Sequence, residues 1–493
     1  NPTKIKGLTF ATNDAFTKAA ADQVEALKDA DVVICLAHLG VDGESKPYRS
    51  TDLYAAVKGI DFIIDGHSHT VMTKGENGEP IQSTGTAFAN IGVIVIDATK
   101  KIESNSLFEI KEDTAKDATV AAAAQKIIDR IDKEYGAVFA KSEVELNGAK
   151  APNGNRDSET NNGDLITDAM VWKILQDKES LTVDADHVVA VTNGGGIRKA
   201  INPGDVTKKN INEVLPFGNT VVTIYITGAE LLEALEASTY CTPDAIGGFP
   251  QVSGINYTIS TAVAYDANAE TYPASTYYGP KSINRVTINS INGKEFKADD
   301  TYAVITNDFC GGGGDTYYAF AAATAKFDTG IPLDEVVMEY ITAELKGVIG
   351  KQYAAPQGRI LMNPFADVKA SSWFGKYVID LYNDGIINGT SATTYAPNNT
   401  LTWAAALKLL LVSNGDLKAA DATGADWSKN AIAKAAELGL VAADLDGAKA
   451  ISRLEFCQVA AKLNKLAESK TESKFTDCTD GYVMALVDAK VIS

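Results

Sequence analysis

Apolar positions in the first hundred residues fall into short unbroken runs between helix-spaced segments. DVVICLA (31–37), DFIID (61–65) and NIGVIVIDAT (90–99) are continuous apolar runs, as in strands covered on both faces. FTKAAADQVEALKDA (16–30) has helical spacing, and STDLYAAVKG (50–59) predicts a helix capped by Ser50 or Thr51. This alternation predicts an α/β layered unit with its functional residues at strand ends. Residues 116–135 follow as a long helical pattern without Gly or Pro, suited to connect domains. Residues 137–360 then mix strands (HVVAVTN, NTVVTIYITG, TYAVITN) with helices (GAELLEALEAS, LDEVVMEYITAEL), an α+β pattern.

Beyond residue 363 the pattern repeats. Trp373 is matched 54 residues later by Trp427, and Gly385 by Gly439; a third copy, YVMALVDAKVI, closes the chain. Each repeat reads as helix, loop, helix, too small to bury its apolar face alone. Trp373, Tyr377 and Leu381, with Phe374, Val378 and Tyr382, recur every fourth residue, and core packing is the expectation for most of them.

Length and charge narrow the class. A chain of 493 residues is too long for one core, and roughly three domains are expected. The net charge of −19 disfavours binding to a nucleic acid polymer and suits a secreted or cell-surface protein. The five cysteines are scattered without a CxxC, so neither a zinc finger nor a disulfide scaffold is indicated, and Cys35 reads as a small core residue. No apolar run reaches the ~18 residues of a membrane span. The chain starts at Asn1 without a signal peptide and stops just after a helical pattern, which predicts a fragment cut at both ends.

Three of the four histidines sit at strand ends. His38 follows DVVICLA, and His67 and His69 follow DFIID; a rigid strand end can hold an imidazole toward a metal. His187 reads as structural. LAHLG followed by GHSHT resembles the C-terminal metal-binding blocks of calcineurin-like metallophosphoesterases, in particular the bacterial 5'-nucleotidase/UDP-sugar hydrolase/2',3'-cyclic phosphodiesterase group. The resemblance implies two divalent ions, His38 and His67 holding one and His69 the other. Zinc, manganese and iron are not distinguished by such ligands. Such a pair, ~4 Å apart, generates a hydroxide nucleophile and clamps the phosphate. The family's earlier blocks supply an Asp-x-His, a bridging Asp, and an Asn-His dyad carrying the catalytic His. Only 37 residues precede His38, and none is a histidine. Asp65 and Asp42 are nearby carboxylates to which the resemblance assigns no metal role. The chain by itself is therefore expected to be inactive, with no catalytic residue of its own.

Five further blocks occur in the order of the 5'-nucleotidase C-terminal domain: NRDSETNNGDLITDAM (155–170), TNGGGIRKAI (192–201), VLPFGNTV (214–221), QVSGINYT (251–258) and NDFCGGGGDTYYAF (307–320). A nucleotide needs cations for phosphate, flat rings for the base and a carboxylate for the ribose hydroxyls. Arg198 follows three glycines and can reach past bare backbone to a phosphate, with Arg156 as a second cation. Phe217 and Phe309 each adjoin a strand-like stretch and can sandwich a base of any kind. Asp315 closes a four-glycine run, where an acceptor for ribose fits. By resemblance these are the family's substrate residues, joined by Asn193 and Gly195. Thr316 stands where the block normally has Gly, and Cys310 replaces a more usual aliphatic residue.

Residues 365–403 (FADV…Trp373…GIING…YAPNNTLTW) resemble an S-layer homology repeat, a module that anchors proteins to secondary cell-wall polysaccharide. The family's Thr-Arg-Ala-Glu motif reads TWAA in the first repeat, with Trp403 at the Arg position, and SRLE in the second, where Arg453 is the candidate sugar-binding cation. Arg453 also fits an exposed residue in a capping box from Ser452 to Glu455.

The resemblances imply an α/β chain in parts. Residues 1–112 are the C-terminal part of a metallophosphoesterase α/β/β/α sandwich, and 113–136 a linker helix. Residues 137–362 are an α+β substrate-binding domain, and 363–493 are helix-rich S-layer homology repeats, the third incomplete. The expected function is that of an extracellular, wall-anchored 5'-nucleotidase-like phosphoester hydrolase acting on nucleotides. A structural surface-layer protein and a nucleoside-binding module remain alternatives.

Overall fold

The helical spacing of the first segment becomes α1 (Asp14–Ala26), whose Phe16, Ala20 and Val24, spaced by four, pack toward Ile63. Then come β1 (Ile34–Leu36), α2 (Ser50–Ala56), β2 (Phe62–Asp65), β3 (Val71–Met72) and β4 (Ile81–Thr84). They form a sheet of order β1-β2-β4-β3 in which only β3 runs antiparallel to its neighbour. This computed structural model describes residues 11–12, 14–43, 45–264, 282–323, 325–473 and 475–492. The first ten residues of the domain expected over 1–112 lie outside the described residues.

Three expectations are corrected here. β1 is not covered on both faces: Cys35 is half-buried on the core side, whereas Ile34 and Leu36 point away from it, Leu36 82% exposed. β1 is an edge strand, and its period-2 alternation leaves one face uncovered among the described residues. Likewise β5 (Asn90–Ile96) is no buried strand but half of a two-stranded ribbon with β6 (Ile102–Glu109). Its Ile91, Val93 and Val95 share the outer face and are exposed. α2 is capped by Arg49, not Ser50 or Thr51, because Asp52 accepts from the Arg49 backbone N–H at 3.1 Å and from its guanidinium at 2.8 Å.

The long helical pattern is α3 (Ala118–Tyr135), started by Asp117, whose carboxylate accepts from the N–H groups of Thr119 and Val120. Next come β7 (Val138–Ser142), α4 (Asn161–Leu175), β8 (Val188–Asn193), β9 (Gly204–Thr207), α5 (Lys208–Val214), β10 (Thr220–Thr227) and α6 (Gly228–Ser238). β11 (Pro250–Ser253), β12 (Ile255–Ser260), β13 (Val286–Ile291), β14 (Thr301–Asn307), α7 (Asp308–Gly311) and α8 (Tyr318–Ala321) follow. β15 (Ala325–Pro332), α9 (Leu333–Ala343), β16 (Val348–Ile349) and β17 (Ile360–Asn363) come next, β17 pairing with β12. The main sheet has the order β11-β8-β14-β10-β15, with β8 and β14 parallel and side by side at its centre. All six residues of β8 are buried, and α4 and α9 cover the face of Val188 and Ala190 with Leu165, Ile166, Met170, Val336, Val337 and Ile341.

The chain divides into two compact units, residues 1–259 with 263–360, and residues 260–262 with 361–493. The second unit holds α10 (Gly375–Asn383), α11 (Trp403–Ser413), α12 (Trp427–Glu437), α13 (Arg453–Leu463) and α14 (Gly481–Asp488). Leu407 and Leu411 of α11 pack with Ala431, Ala435 and Val459. The repeat is visible in the helix stops: Gly385 and Gly439 follow α10 and α12 at φ +71° and +70°, where a side chain would be strained. The expectation of core packing fails for two residues. Trp373, just ahead of α10, is 85% exposed, and Tyr377 is 64% exposed because α10 turns Val378 and Ile379 inward and leaves its other face to solvent.

Candidate functional site

The centre of the main sheet sets one side of the site. β8 and β14 run parallel and end at Asn193 and Asn307. Asn307 caps α7 by accepting from the Cys310 N–H at 2.8 Å and donates to Asn193 Oδ1 at 3.0 Å; Asn193 in turn donates to Asp315 Oδ2 at 2.8 Å. Two asparagines thus fix a carboxylate whose residue has φ +50°, a conformation an aspartate adopts at a cost unless it is held.

Glycines let the backbone close in after β8. The N–H groups of Gly194 and Gly195 each donate at 2.7 Å, to Phe249 O and Gly247 O. A Cβ on Gly194 would lie 1.7 Å from Asn155 O. This tight turn delivers Arg198, whose guanidinium donates to Gly195 O at 3.2 Å and lies 5.6 Å from the centre of the Phe217 ring. Burial holds the Arg198 guanidinium below its ordinary value, and neighbouring Arg156 adds to this, a pairing that favours an anion.

Phe217 is 58% exposed, too open for a core residue. Phe309 begins the other aromatic wall, its ring laid against Gly314, where a Cβ would come within 2.6 Å. Asn219 donates to Asp308 at 2.6 Å and so ties the Phe217 loop to the helix that carries Phe309. Antiparallel pairing of β10 with β14 brings these two residues together.

His38, His67 and His69 line the same cavity as Arg156, Arg198, Phe217, Phe309, Asn193, Gly195 and Asp315, a space of about 490 Å³. Asp65 accepts from the N–H of Leu39 at 2.9 Å and of Gly40 at 3.1 Å, joining the His38 loop to the end of β2. The His38 and His67 rings meet edge to face at 5.2 Å. His67 and His69 both have positive φ, 66° and 55°, which turns two imidazoles out of one short bend. Burial lowers the His69 pKa to about 4, with Arg198, Arg156, Lys150 and His67 adding, so the ring is neutral at neutral pH in electropositive surroundings.

Among the described residues no group of three or more His, Cys, Asp or Glu side chains could hold a metal ion. The nearby carboxylates are engaged elsewhere: Asp65 on the amides above, and Asp42 on Ser45 at 2.8 Å and Lys150 at 3.7 Å.

The cavity therefore gathers every sequence-predicted metal and substrate residue, while Arg453 lies in the other unit, at the start of α13 within the capping box of Ser452 and Glu455. Cys310 and Thr316 are buried behind the cavity rather than lining it. His187 is structural, bonded to Asp186 and Asp300 and stacked on Tyr302. Sequence reasoning missed Asn219, Gly196 and Gly247 and gave Asp42 no role, though all four line the cavity. Asn219 follows Phe217-Gly218 in a turn where Gly218 has φ +62°, and its tie to Asp308 shows only once the fold is in place.

Residues 138–322 match the 5'-nucleotidase C-terminal domain family, and residues 364–406 the S-layer homology domain family. The chain is 32% identical over 378 residues to the trifunctional nucleotide phosphoesterase protein YfkN of Bacillus subtilis (strain 168), covering 73% of this chain and 23% of that protein. It thus spans less than a quarter of that relative's length. It is 26% identical to a snake venom 5'-nucleotidase of Macrovipera lebetinus, over 66% of this chain and 82% of that one. The solved structure of a 5'-nucleotidase precursor from Thermus thermophilus superposes with a TM-score of 0.54 at 24% identity, covering 70% of this chain and 67% of that chain, a likeness of fold.

Proposed function

From a chain that carries a 5'-nucleotidase C-terminal domain and an S-layer homology domain, we propose a cell-surface nucleotide-binding unit of a phosphoester hydrolase. Phe217 and Phe309 hold the base between them, Asp315 accepts from the ribose hydroxyls, and Arg156 and Arg198 take the phosphate, with Asn193 and Gly195 shaping the floor. His38, His67 and His69 face the phosphoryl group and belong to a metal centre completed by ligands other than the described residues. The observation that carries this reading is the convergence of aromatic, cationic, acidic and imidazole groups on one cavity. We assign residues 1–112 to the partial metallophosphoesterase portion, 113–136 to the linker helix, 137–362 to the substrate domain and 363–493 to the wall-binding repeats. Arg453 contacts secondary cell-wall polysaccharide there. No helix among the described residues is long and apolar enough to cross a membrane.

By itself this chain binds nucleotide without hydrolysing it, because three imidazoles lack the bridging carboxylate and the leaving-group acid. That incomplete donor set also favours the second reading, a nucleoside-binding module. Calorimetry with adenosine tests the pocket: binding heat lost in Phe309→Ala supports it, and no heat in the unaltered chain returns the molecule to a structural surface role. Phosphate release from AMP that His67→Ala abolishes would overturn the inactivity.

A further inference from the structure

Lys150 lies in the loop between β7 and α4 and reaches Ser68, 82 positions earlier in the chain. Its ammonium donates to the carbonyl oxygen of Ser68 at 2.7 Å and pairs with Asp42 at 3.7 Å. Ser68 is the residue between His67 and His69, and its own Oγ accepts from the Val41 N–H at 3.3 Å. At the other end, the Lys150 carbonyl accepts from the Arg156 N–H at 3.1 Å. The loop is itself braced: Asn147 donates to Asn153 O and accepts from the Ala149 N–H, both at 2.8 Å. Leu146 exchanges backbone bonds with Ile201, three residues after Arg198.

We infer that Lys150 is a positioning residue, a strut that holds the His67–His69 turn in register with Arg156 and Arg198. The turn needs such a strut. Two non-glycine residues at positive φ, one residue apart, are costly unless their surroundings over-determine them. A cation on the Ser68 carbonyl, where the chain reverses between them, does so with a charge-assisted bond. Lysine suits the place because its ammonium can donate to a carbonyl and a carboxylate at once. That the strut serves phosphoryl recognition rests on the nucleotide reading above; the pinning itself rests on geometry alone.

The chain has only four histidines, so their ring signals in a carbon–proton NMR spectrum separate cleanly, with His187 as an internal control. In Lys150→Met the stem stays and the ammonium goes. The His67 and His69 signals are expected to shift, and amide exchange over residues 66–70 to quicken roughly ten-fold, the scale of one charge-assisted bond lost. His187 and the β8 and β14 amides stay unchanged, and Lys150→Arg restores the His67 and His69 signals. Unchanged His67 and His69 signals overturn the proposal, and so does an equal disturbance of all four rings. If Lys150→Met does not fold, Lys150→Gln replaces it: partial quickening over 66–70 supports the strut, and wild-type exchange overturns it. Adenosine heat on the same samples separates the two ideas. Its absence in the unaltered chain sinks the nucleotide reading and leaves the strut, whereas unmoved rings sink the strut and leave the pocket.

Discussion

Phe217 presents most of its ring to solvent, so removing it costs little stability and bears directly on ligand. Stacking of a base on one aromatic face is worth ~1–3 kcal/mol, so Phe217→Ala is expected to weaken adenosine about 5- to 150-fold in calorimetry with the melting temperature nearly unchanged. Arg198 divides phosphate from base. Arg198→Ala is expected to weaken AMP roughly ten-fold or more beyond its effect on adenosine, read as the ratio of the two affinities. These residues were legible in sequence because each has a chemical reason to stand beside glycine or at a strand end. Asn219 and Lys150 were not, since an asparagine after a glycine and a lysine in a polar loop look like solvent-facing residues until distant partners are in place.

At the scale of elements, Asp164 and Asp168 of α4, with Glu159 just before the helix, form an acidic cluster that clamps the segment 357–360. Asp164 accepts from the Gln357 N–H at 3.1 Å, Glu159 accepts from the N–H groups of Arg359 and Ile360, and Arg359 pairs with Asp168 at 2.8 Å. Burial raises the Asp164 pKa to about 8, with Glu159 and Asp168 adding against the opposing pull of Arg359. An unfolded aspartate ionises near pH ~4, so between about pH 4 and 8 the native state binds the extra proton. The stability Asp164 contributes is complete below that window and is lost as pH rises through about 8. Melting temperature is expected to fall over this range, and to fall less in Asp164→Asn, which keeps an acceptor for Gln357 and carries no charge. Equal slopes for the two proteins would contradict the assignment. Sequence periodicity found β8, β10 and β14 because both their faces are covered in this chain. It failed at β1 and β5, where an apolar run has one covered face among the described residues. Trp373 and Tyr377 failed for a related reason: a repeating apolar stripe does not say which edge of it the neighbouring helices reach.

For the whole molecule, the mixed α/β order and an S-layer homology repeat were legible, because strand-like and helix-like periods alternate along the chain and the repeat carries its own motif. What ties the histidine turn to the loop of Lys150 was not, since it depends on contacts across 82 residues. A chain ending at residue 360 is expected to keep its adenosine affinity and to lose retention on isolated cell-wall polysaccharide, read by sedimentation; Arg453→Ala in the whole chain should weaken retention in the same assay. The central claim is that this chain recognises a nucleotide without cleaving it. Phosphorus NMR of AMP mixed with the protein tests both halves at once. The account predicts an AMP resonance that shifts with added protein, returns to its free position in Arg198→Ala, and gives no inorganic phosphate signal over time. An AMP resonance that does not move, or a phosphate signal that grows and vanishes in His67→Ala, would contradict it.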